Sequence, residues 1–423
     1  MDEFYLDIMK EELIPAFGCT EPIAIAYASA KARDVLGCMP ESIEVECSGN
    51  IIKNVKSVIV PGTKNMKGVD TSAVLGIVGG NADKVLEVLS EINEKHLEIT
   101  KTILEKKTCK VKLAKGVENL YIKVSVVKGE KQATVTIADS HTNIIEITKN
   151  GKVLFKSDKK ADKKIESNAI YRDRSKMSIE GIYKFINNVD VKKLEKVLEK
   201  QIELNVKIAK EGLKNNYGVN VGRTLIKMNG EQVANLAKAY AASGSDARMS
   251  GCELPVVINS GSGNQGLTVS LPVIVYAKQL KAPKEKLYRA LALSNLVSIH
   301  IKSGIGKLSA FCGAVSAAAG AGAAIAYLND GSYKVISDTI INTLADVSGI
   351  VCDGAKPSCA AKIASAVDSA IMGYQMAAQG SVFNPGEGLI KDDIEKTLKS
   401  ICRMAKEGMK ETDIEILTIM NEG

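Results

Sequence analysis

The sequence predicts an α+β protein, in which an N-terminal α+β domain precedes a mostly α-helical domain. Apolar and polar residues alternate between positions 111 and 155, which indicates antiparallel strands and hairpins. After a charged stretch at 156–174, apolar residues recur at the helical period, most regularly in 191–214. We take the charged stretch as the linker between the two domains.

Composition limits the class of protein. A chain of 423 residues with 45% hydrophobic content can form two or three domains with ample cores. Its 56 basic residues are interspersed with 49 acidic ones and no basic stretch contains interleaved aromatics, so nucleic acid is not an expected partner. The start has no signal-peptide pattern, and the nine cysteines lack close paired spacings, which favours a cytoplasmic protein.

The N-terminal helices are predicted at 2–14 and from Thr20 onwards, within a first unit of residues 1–40 that packs onto the helical domain. Thr20 is the expected N-cap, with Pro22 near the helix start. Cys19 therefore precedes a helix N-terminus, where the helix dipole lowers the pKa of a thiol. A packed cysteine at a turn is the alternative.

The second unit, residues 41–175, has strand patterns at 43–49 and 56–62 and helical patterns at 71–80 and 82–92. Two further hairpins are predicted in its strand-rich part. One turns at 128–131, and the other at Lys149-Asn-Gly-Lys152.

The third unit, residues 176–423, is predicted to be α-helical, with helices near 191–214, 228–242, 271–280, 287–297, 333–344 and 359–378. Residues 311–328 carry no charge and approach the length of a membrane span. They are mostly Ala, Gly and Ser, without an aromatic belt, so we expect a buried central helix and no membrane.

Three cysteines surround this central helix in the sequence. Asp-Gly and Lys-Pro steps between Cys352 and Cys359 predict a loop, so Cys352 closes one helix and Cys359 opens the next. Cys312 opens the small-residue helix. Three thiolates can then converge, and the helix N-termini at Cys312 and Cys359 favour negative charge. The alternative is that these are buried cysteines acting as small core residues.

A glycine-rich loop spans 259–266. Its backbone N–H groups can form an anion-binding nest, although it matches neither a Walker loop nor a dinucleotide fingerprint. It is similar to the Ser-Gly-Asn loop of pyridoxal-phosphate β-eliminating enzymes, which leaves such a lyase as a rival. No Schiff-base lysine motif or phosphate cup is recognisable. A plain turn is the third alternative.

The histidines differ in context. His96 lies in a charged helical end and is expected to be solvated, whereas His141 ends a strand within Asp139-Ser-His-Thr-Asn143. His300 is expected to be structural. The same expectation applies to five cysteines: Cys38, Cys47, Cys109, Cys252 and Cys402.

Several motifs together resemble the iron-sulfur L-cysteine desulfidases, which are related to the alpha part of bacterial iron-sulfur L-serine dehydratases. The matching motifs, in order along nearly the whole chain, are Gly18-Cys-Thr-Glu-Pro22, Ser260-Gly-Ser-Gly-Asn-Gln-Gly266, Lys302-Ser-Gly304, Phe311-Cys-Gly313 and Cys352-Asp-Gly354 with Cys359. The His-Thr-Asn run at 141–143 also matches.

The resemblance implies a [4Fe-4S] cluster in the helical domain, with Cys312, Cys352 and Cys359 as ligands and Cys19 as the base. It further implies that the substrate contacts residues of the glycine-rich loop and of two other motifs: Ser260, Ser262, Asn264, Gln265, His141, Asn143 and Lys302. Three ligands leave one iron open as a Lewis acid.

The implied reaction is α,β-elimination from L-cysteine, which yields sulfide, ammonia and pyruvate. L-Serine dehydration at the same cluster, a pyridoxal-phosphate lyase and a non-enzymatic iron-sulfur protein remain alternatives. The expected partner is a small amino acid, and a homodimer is an open alternative to a monomer.

Overall fold

The computed structural model describes residues 2–63, 65–157, 173–306 and 308–422. The α+β class is confirmed, because an N-terminal region with a mixed sheet precedes a mostly helical C-terminal part. Most of the predicted linker, residues 158–172, lies outside the described residues. The division into units at 40 and 175 stays a prediction.

In the N-terminal part, helices both precede and follow strand β2 along the chain. Its elements are α1 (Asp2–Glu12), β1 (Pro15–Ala16), α2 (Thr20–Leu36), β2 (Ser42–Cys47), α3 (Gly49–Val55), α4 (Val69–Gly79), a 3-10 helix (Ala82–Glu87), α5 (Glu94–Glu105), β3 (Cys109–Leu113), β4 (Tyr121–Lys128), β5 (Lys131–Ala138), β6 (Ile144–Lys149) and β7 (Lys152–Lys156).

The six-stranded sheet has the order β3-β2-β4-β5-β6-β7. Strands β2 and β3 are parallel, and the other neighbours are antiparallel. Alternate residues of β4, such as Ile122 and Val124, are buried beneath α2, while Lys123 faces outward beside Glu46. This alternation is typical of a sheet that has one solvated face.

Helix α2 joins the two parts of the molecule. Ile25, Ala28 and Ala32 lie in the core that contains the sheet. Ile23 and Ala26 lie in the larger core of the C-terminal helices. Because α2 is buried on both sides, its first residue is held firmly between the sheet and the helical part.

The C-terminal part is built around one small-residue helix. Its elements are α6 (Ile179–Asn188), α7 (Val191–Lys214), α8 (Val221–Asn229), α9 (Val233–Met249), β8 (Val256–Val257), α10 (Gly263–Gln279), α11 (Lys284–Ile305), α12 (Gly313–Leu328), α13 (Tyr333–Val347), α14 (Cys359–Ala378), α15 (Ile394–Arg403), a π-helical turn (Met404–Gly408) and α16 (Lys410–Asn421).

Helix α12 is the predicted buried centre. It contacts α10, α11, α13 and α14, and a side chain on Gly320 would place Cβ 2.3 Å from the carbonyl oxygen of Ser294. Such close approach is possible only with small residues. No helix in the described ranges has the length and apolar character needed to cross a membrane.

Three local predictions are wrong. Residues 56–62 form turns and one isolated bridge rather than a strand, and 82–92 form a 3-10 helix and turns. Cys19, not Thr20, is the N-cap residue of α2. The Thr20 hydroxyl instead donates to the carbonyl oxygen of Gly261 at 2.9 Å. That bond links the start of α2 to the glycine-rich loop.

Candidate functional site

Three cysteines are brought together by the ends of two helices and one extended segment. Cys312 is the N-cap of α12, and Cys359 is the first residue of α14. Cys352 does not close a helix, because α13 ends at Val347. Its backbone N–H donates to the carbonyl oxygen of Ala310 at 2.6 Å, which holds the extended segment beside Cys312.

These cysteines line one cavity of about 90 Å³ together with Cys19 and most of the residues implicated by the motifs. The polar and sulfur-bearing lining residues are Cys19, Glu21, Asn54, Arg248, Ser262, Asn264, Gln265, Lys302, Ser309, Cys312, Cys352 and Cys359. Eight residues predicted from sequence are therefore assembled at one place from distant parts of the chain.

The three cysteines are half-buried, and their charges influence one another. Burial, followed by the charge of Cys352, raises the pKa of Cys312 to about 12. Burial also raises the pKa of Cys359. The expectation that helix N-termini stabilise free thiolates at Cys312 and Cys359 is wrong here, since burial outweighs the helix dipole. Because the pKa values of Cys312 and Cys359 are raised, these two thiols need a cationic group nearby before they can become thiolates.

Cys19 is also buried, at 2% exposure, and its Sγ donates to Glu21 Oε2 at 3.2 Å. Burial and the charge of Glu21 raise the pKa of Cys19 well above its ordinary value. The prediction of a lowered pKa is therefore wrong, because the helix dipole is opposed by burial and by a carboxylate. Cys19 is held as a thiol in this state.

Glu21 is the centre of a buried polar cluster at the start of α2. Asn54 donates to Glu21 Oε1 at 3.0 Å, and His141 Nε2 lies 3.7 Å from the same oxygen. Burial by itself raises the pKa of Glu21, but His141, Cys19 and Arg248 outweigh it and lower the pKa to about 2. Glu21 is thus a carboxylate beside the Cys19 thiol.

The glycine-rich loop leads into α10 at the cavity. Ser262 caps the helix by accepting from the N–H of Gln265 at 3.5 Å. Strands β1 and β8 pair through Pro15 and Val257, and this pairing places the loop against the segment before Cys19. A side chain at Gly266 would come within 2.0 Å of the Val257 carbonyl oxygen, so glycine is required for this approach.

Three of the predicted substrate contacts lie outside the lining of this cavity. Ser260 has a left-handed φ of 50° and lines a larger cavity of about 950 Å³. His141 reaches the site only through Glu21. The Asn143 side chain donates to the carbonyl oxygen of Ala138 at 3.0 Å, which is a turn contact. Their direct contact with substrate stays a prediction.

Two buried cations line the cavity. Lys302, which was predicted, is 4% exposed, and burial lowers its pKa. Arg248 is not among the residues expected from sequence. It is 3% exposed and donates through Nη1 to Asn264 Oδ1 at 3.2 Å. No sequence motif marks Arg248 or Asn54. Glu21 lies within the motif at 18–22 and is marked only by its position beside Cys19.

The remaining histidines and cysteines lie elsewhere. His300 Nε2 is 2.9 Å from Glu395 Oε2, in the lining of the larger cavity. His96 packs near Gly79. All nine cysteines are free thiols, and five of them do not line the smaller cavity: Cys38, Cys47, Cys109, Cys252 and Cys402.

A family model for the serine dehydratase alpha chain matches residues 83–418, which is most of the chain. The chain belongs to the serine dehydratase alpha-chain family. The resemblance inferred from the motifs is confirmed at this level, and the relation indicates a lyase-type reaction.

Full-length relatives support the assignment to this family. The chain is 55% identical over 415 residues to a UPF0597 protein of Lachnoclostridium phytofermentans, with 98% of each chain covered. It is 51% identical to a UPF0597 protein of Desulfitobacterium hafniense, covering 98% of this chain and 96% of the relative. A UPF0597 protein of Finegoldia magna is 50% identical, with 99% of each chain covered. These names specify neither substrate nor cofactor.

The donor set of this family member fits an iron-sulfur cluster better than a single metal ion. Within residues 2–63, 65–157, 173–306 and 308–422, no three His, Cys, Asp or Glu side chains are close enough to hold one ion. A cluster distributes its thiolates over different irons, so its ligands stand farther apart. Three half-buried thiols beside two buried cations fit such an anionic group.

Proposed function

We propose that this protein is an iron-sulfur lyase that cleaves L-cysteine to sulfide, ammonia and pyruvate. The observation that carries the proposal is the shared cavity of Cys312, Cys352, Cys359, Cys19 and the glycine-rich loop. Membership of the serine dehydratase alpha-chain family supports an elimination reaction on a small amino acid.

Cys312, Cys352 and Cys359 would hold a [4Fe-4S] cluster. When bound, that cluster supplies an open Lewis-acid iron that favours departure of the substrate sulfur. Because all three ligands lie in the C-terminal part of the chain, cluster binding and proton transfer depend on different parts of the fold.

Proton transfer is the task of Cys19 in this proposal. As a thiolate its sulfur would take the substrate Cα proton, as a general base does. The thiol must first lose its own proton, and its hydrogen bond to Glu21 Oε2 fixes the direction in which the S–H bond points. Asn54 holds the Glu21 carboxylate in place, so Glu21 orients the Cys19 thiol. Because the pKa of Glu21 is about 2, this carboxylate is too weak a base to keep the thiol proton, which must pass on to solvent.

The products follow from elimination. Removal of the Cα proton and loss of hydrosulfide from Cβ give aminoacrylate, which tautomerises to an imine. Water then hydrolyses the imine to pyruvate and ammonia. The net balance is L-cysteine plus water to hydrogen sulfide, ammonia and pyruvate.

L-Serine is the second candidate substrate, because the matching family is named for serine dehydratase. The same residues would then remove a proton while hydroxide leaves. Turnover of L-cysteine and L-serine by one anaerobic preparation separates the two reactions.

The test combines metal analysis with cysteine variants. The protein purified anaerobically should contain iron and sulfide, absorb visible light and release sulfide from L-cysteine. Cys312→Ala, Cys352→Ala or Cys359→Ala should lose the absorption and turnover, since each removes one ligand. Cys47→Ala and Cys252→Ala are matched controls, because both thiols are buried away from the cavity. A colourless, iron-free and active protein would overturn the proposal.

A further inference from the structure

Arg248 and Lys302 are buried cations that share the smaller cavity without an ion-pair partner. In the described part of the chain neither has a carboxylate oxygen within 4.0 Å, although Arg248 is 3% and Lys302 4% exposed. A buried and unpaired charge costs several kcal/mol. The cavity is therefore built to receive negative charge from groups that bind in it.

The two cations face different sides of the cavity. Lys302 is influenced by the charges of Cys352 and Cys312, so it lies on the three-cysteine side. Arg248 acts on Cys19 and Glu21 and contacts Asn264 at the start of α10. Lys302 suits the charge of the three thiolates, which leaves Arg248 available to another anion.

The geometry of Arg248 adds a second argument. Its Nε is buried and has no hydrogen-bond acceptor among the described residues. A Cβ atom on Gly263 would lie 2.3 Å from this nitrogen, so the guanidinium rests directly over the first turn of α10. The N–H groups of a first helical turn lack intrahelical acceptors and favour an anion. A carboxylate here would meet both donors.

Gln265 supplies an acceptor at the same place. Its Oε1 is buried, and no donor within the described ranges reaches it. The Gln265 side chain lies close to Gly313, where a Cβ atom would be 2.7 Å from its Cδ. The unpaired oxygen thus lies between the glycine-rich loop and the start of α12, and it can accept a hydrogen bond from an ammonium group.

We propose that Arg248 binds the α-carboxylate of the substrate and that Gln265 Oε1 accepts a hydrogen bond from its α-ammonium group. This inference rests on the proposed function and deepens it. The substrate class is a free α-amino acid, because Arg248 and Gln265 line one cavity and match its two charged groups. The three-cysteine side is left for the reacting side chain.

Binding of unreactive amino acids tests the inference independently of turnover. L-Alanine lacks a leaving group, and L-alaninamide differs from it by having a neutral amide in place of the carboxylate. Titration calorimetry on the anaerobically purified holoprotein should give tighter binding of L-alanine. Arg248→Gln should weaken L-alanine binding about 10- to 100-fold, as expected for a lost charged hydrogen bond, and leave L-alaninamide nearly unchanged. Lys238→Gln is the control, since Lys238 lies on the same helix and pairs with the exposed Asp368.

The outcomes separate this inference from the proposed reaction. Iron content and sulfide release test the reaction, whereas the ratio of the two affinities tests Arg248. If Arg248→Gln leaves the ratio of the L-alanine and L-alaninamide affinities unchanged, even with both affinities lowered, the assignment is overturned. Wild-type protein that fails to distinguish the two ligands would overturn it as well. If Arg248→Gln does not fold, Arg248→Lys decides, because it keeps the charge but loses the planar fork. Gln265→Leu tests the ammonium contact in the same way with propanoate in place of L-alaninamide.

Discussion

Cys19 differs from the other cysteines of the cavity because its hydrogen-bond partner is a carboxylate, Glu21. Cys359, by comparison, lies near the backbone carbonyl of Gly354. The Glu21 carboxylate orients the Cys19 thiol, whereas the other three thiols need only release their protons when a metal binds. Residue-scale experiments should therefore separate the base from the ligands.

Cys19→Ser should keep iron, sulfide and visible absorption near wild-type values, because the three proposed ligands are intact. It should lose most sulfide production, since a serine hydroxyl is a far poorer base near neutral pH. Exchange of the substrate Cα hydrogen with solvent deuterium should stop as well. Both quantities are measured on one anaerobic preparation. Loss of the cluster itself would instead make Cys19 a fourth ligand.

Glu21→Gln should move the pH dependence of the reaction. Burial and the Glu21 charge both raise the pKa of Cys19, so removing the charge lowers that pKa while burial remains. A base works in its deprotonated form, hence the rising limb of log kcat/KM should shift to lower pH. Asn54→Ala keeps the carboxylate and should leave the limb in place. A shift to higher pH in Glu21→Gln would contradict the assignment of Cys19 as base.

At the scale of secondary-structure elements, Lys53 connects three segments around the cysteines. Its Nζ donates to the carbonyl oxygen of Cys352 at 3.1 Å and to Asp413 Oδ1 at 2.5 Å. Lys53 belongs to α3, Asp413 to α16 and Cys352 to the segment between α13 and α14. This buried side chain holds the Cys352 segment in place through the backbone carbonyl of Cys352.

Lys53→Met should destabilise the protein by about 3 kcal/mol, the low end for a broken buried pair, because Asp413 stays partly exposed. It should also speed the loss of iron to a chelator, since the Cys352 carbonyl loses its anchor. Thermal unfolding and the time course of bleaching measure the two effects. Lys410→Met is the control, because it removes an exposed pair in the same C-terminal region. Equal effects of the two variants on thermal unfolding and bleaching would contradict an anchoring role for Lys53.

Helices in which apolar residues recur at the helical period could be predicted from sequence, as the agreement at α7 and α14 demonstrates. The segment 56–62 could not, because its apolar residues pack against residues far away in the sequence, as Val58 does with Cys19 and Met249, rather than pairing as a strand. The Cys352 segment was expected to end a helix, but α13 stops at Val347 and an isolated bridge joins Phe311 to Val351. That bridge depends on residues 40 positions apart, which local patterns do not report.

The site was predictable where its residues lie in motifs, and unpredictable where tertiary packing supplies them. Cys19, Asn264 and Lys302 stand in recognisable runs. Arg248 and Asn54 reach the cavity only because α9 and α3 pack against it, and nothing adjacent in sequence marks them. The sequence predicts a lowered pKa for Cys19, whereas the structure raises it, because burial depends on tertiary packing.

At the scale of the whole molecule, the cavity is assembled from two parts of the chain. All three proposed cluster ligands come from the C-terminal part, whereas Cys19, Glu21 and Asn54 come from the N-terminal part. Helix α2 lies between both hydrophobic cores and carries the first of these groups. Displacement of α2 should therefore affect proton transfer more than cluster binding.

Two glycine variants with equal steric conflict test this separation. A Cβ at Gly76 would lie 2.3 Å from the Ala26 carbonyl oxygen and push α4 away from α2, while a Cβ at Gly320 would lie 2.3 Å from the Ser294 carbonyl oxygen and push α12 from α11. Overpacking of this kind costs about 1–3 kcal/mol, more than the roughly 1 kcal/mol that alanine gains in a helix. Both substitutions should lower the melting temperature.

Their effects on the site should nevertheless differ. Gly76→Ala should lower turnover while iron per chain stays near wild type, because α2 carries Cys19 and no proposed ligand. Gly320→Ala should lower iron and turnover together, because Cys312 begins the helix that must move. Gly349→Ala is the control, since a Cβ there meets no atom within 4 Å. Iron analysis and sulfide release on each variant decide the matter, and parallel loss of iron in Gly76→Ala would mean that α2 also supports the cluster.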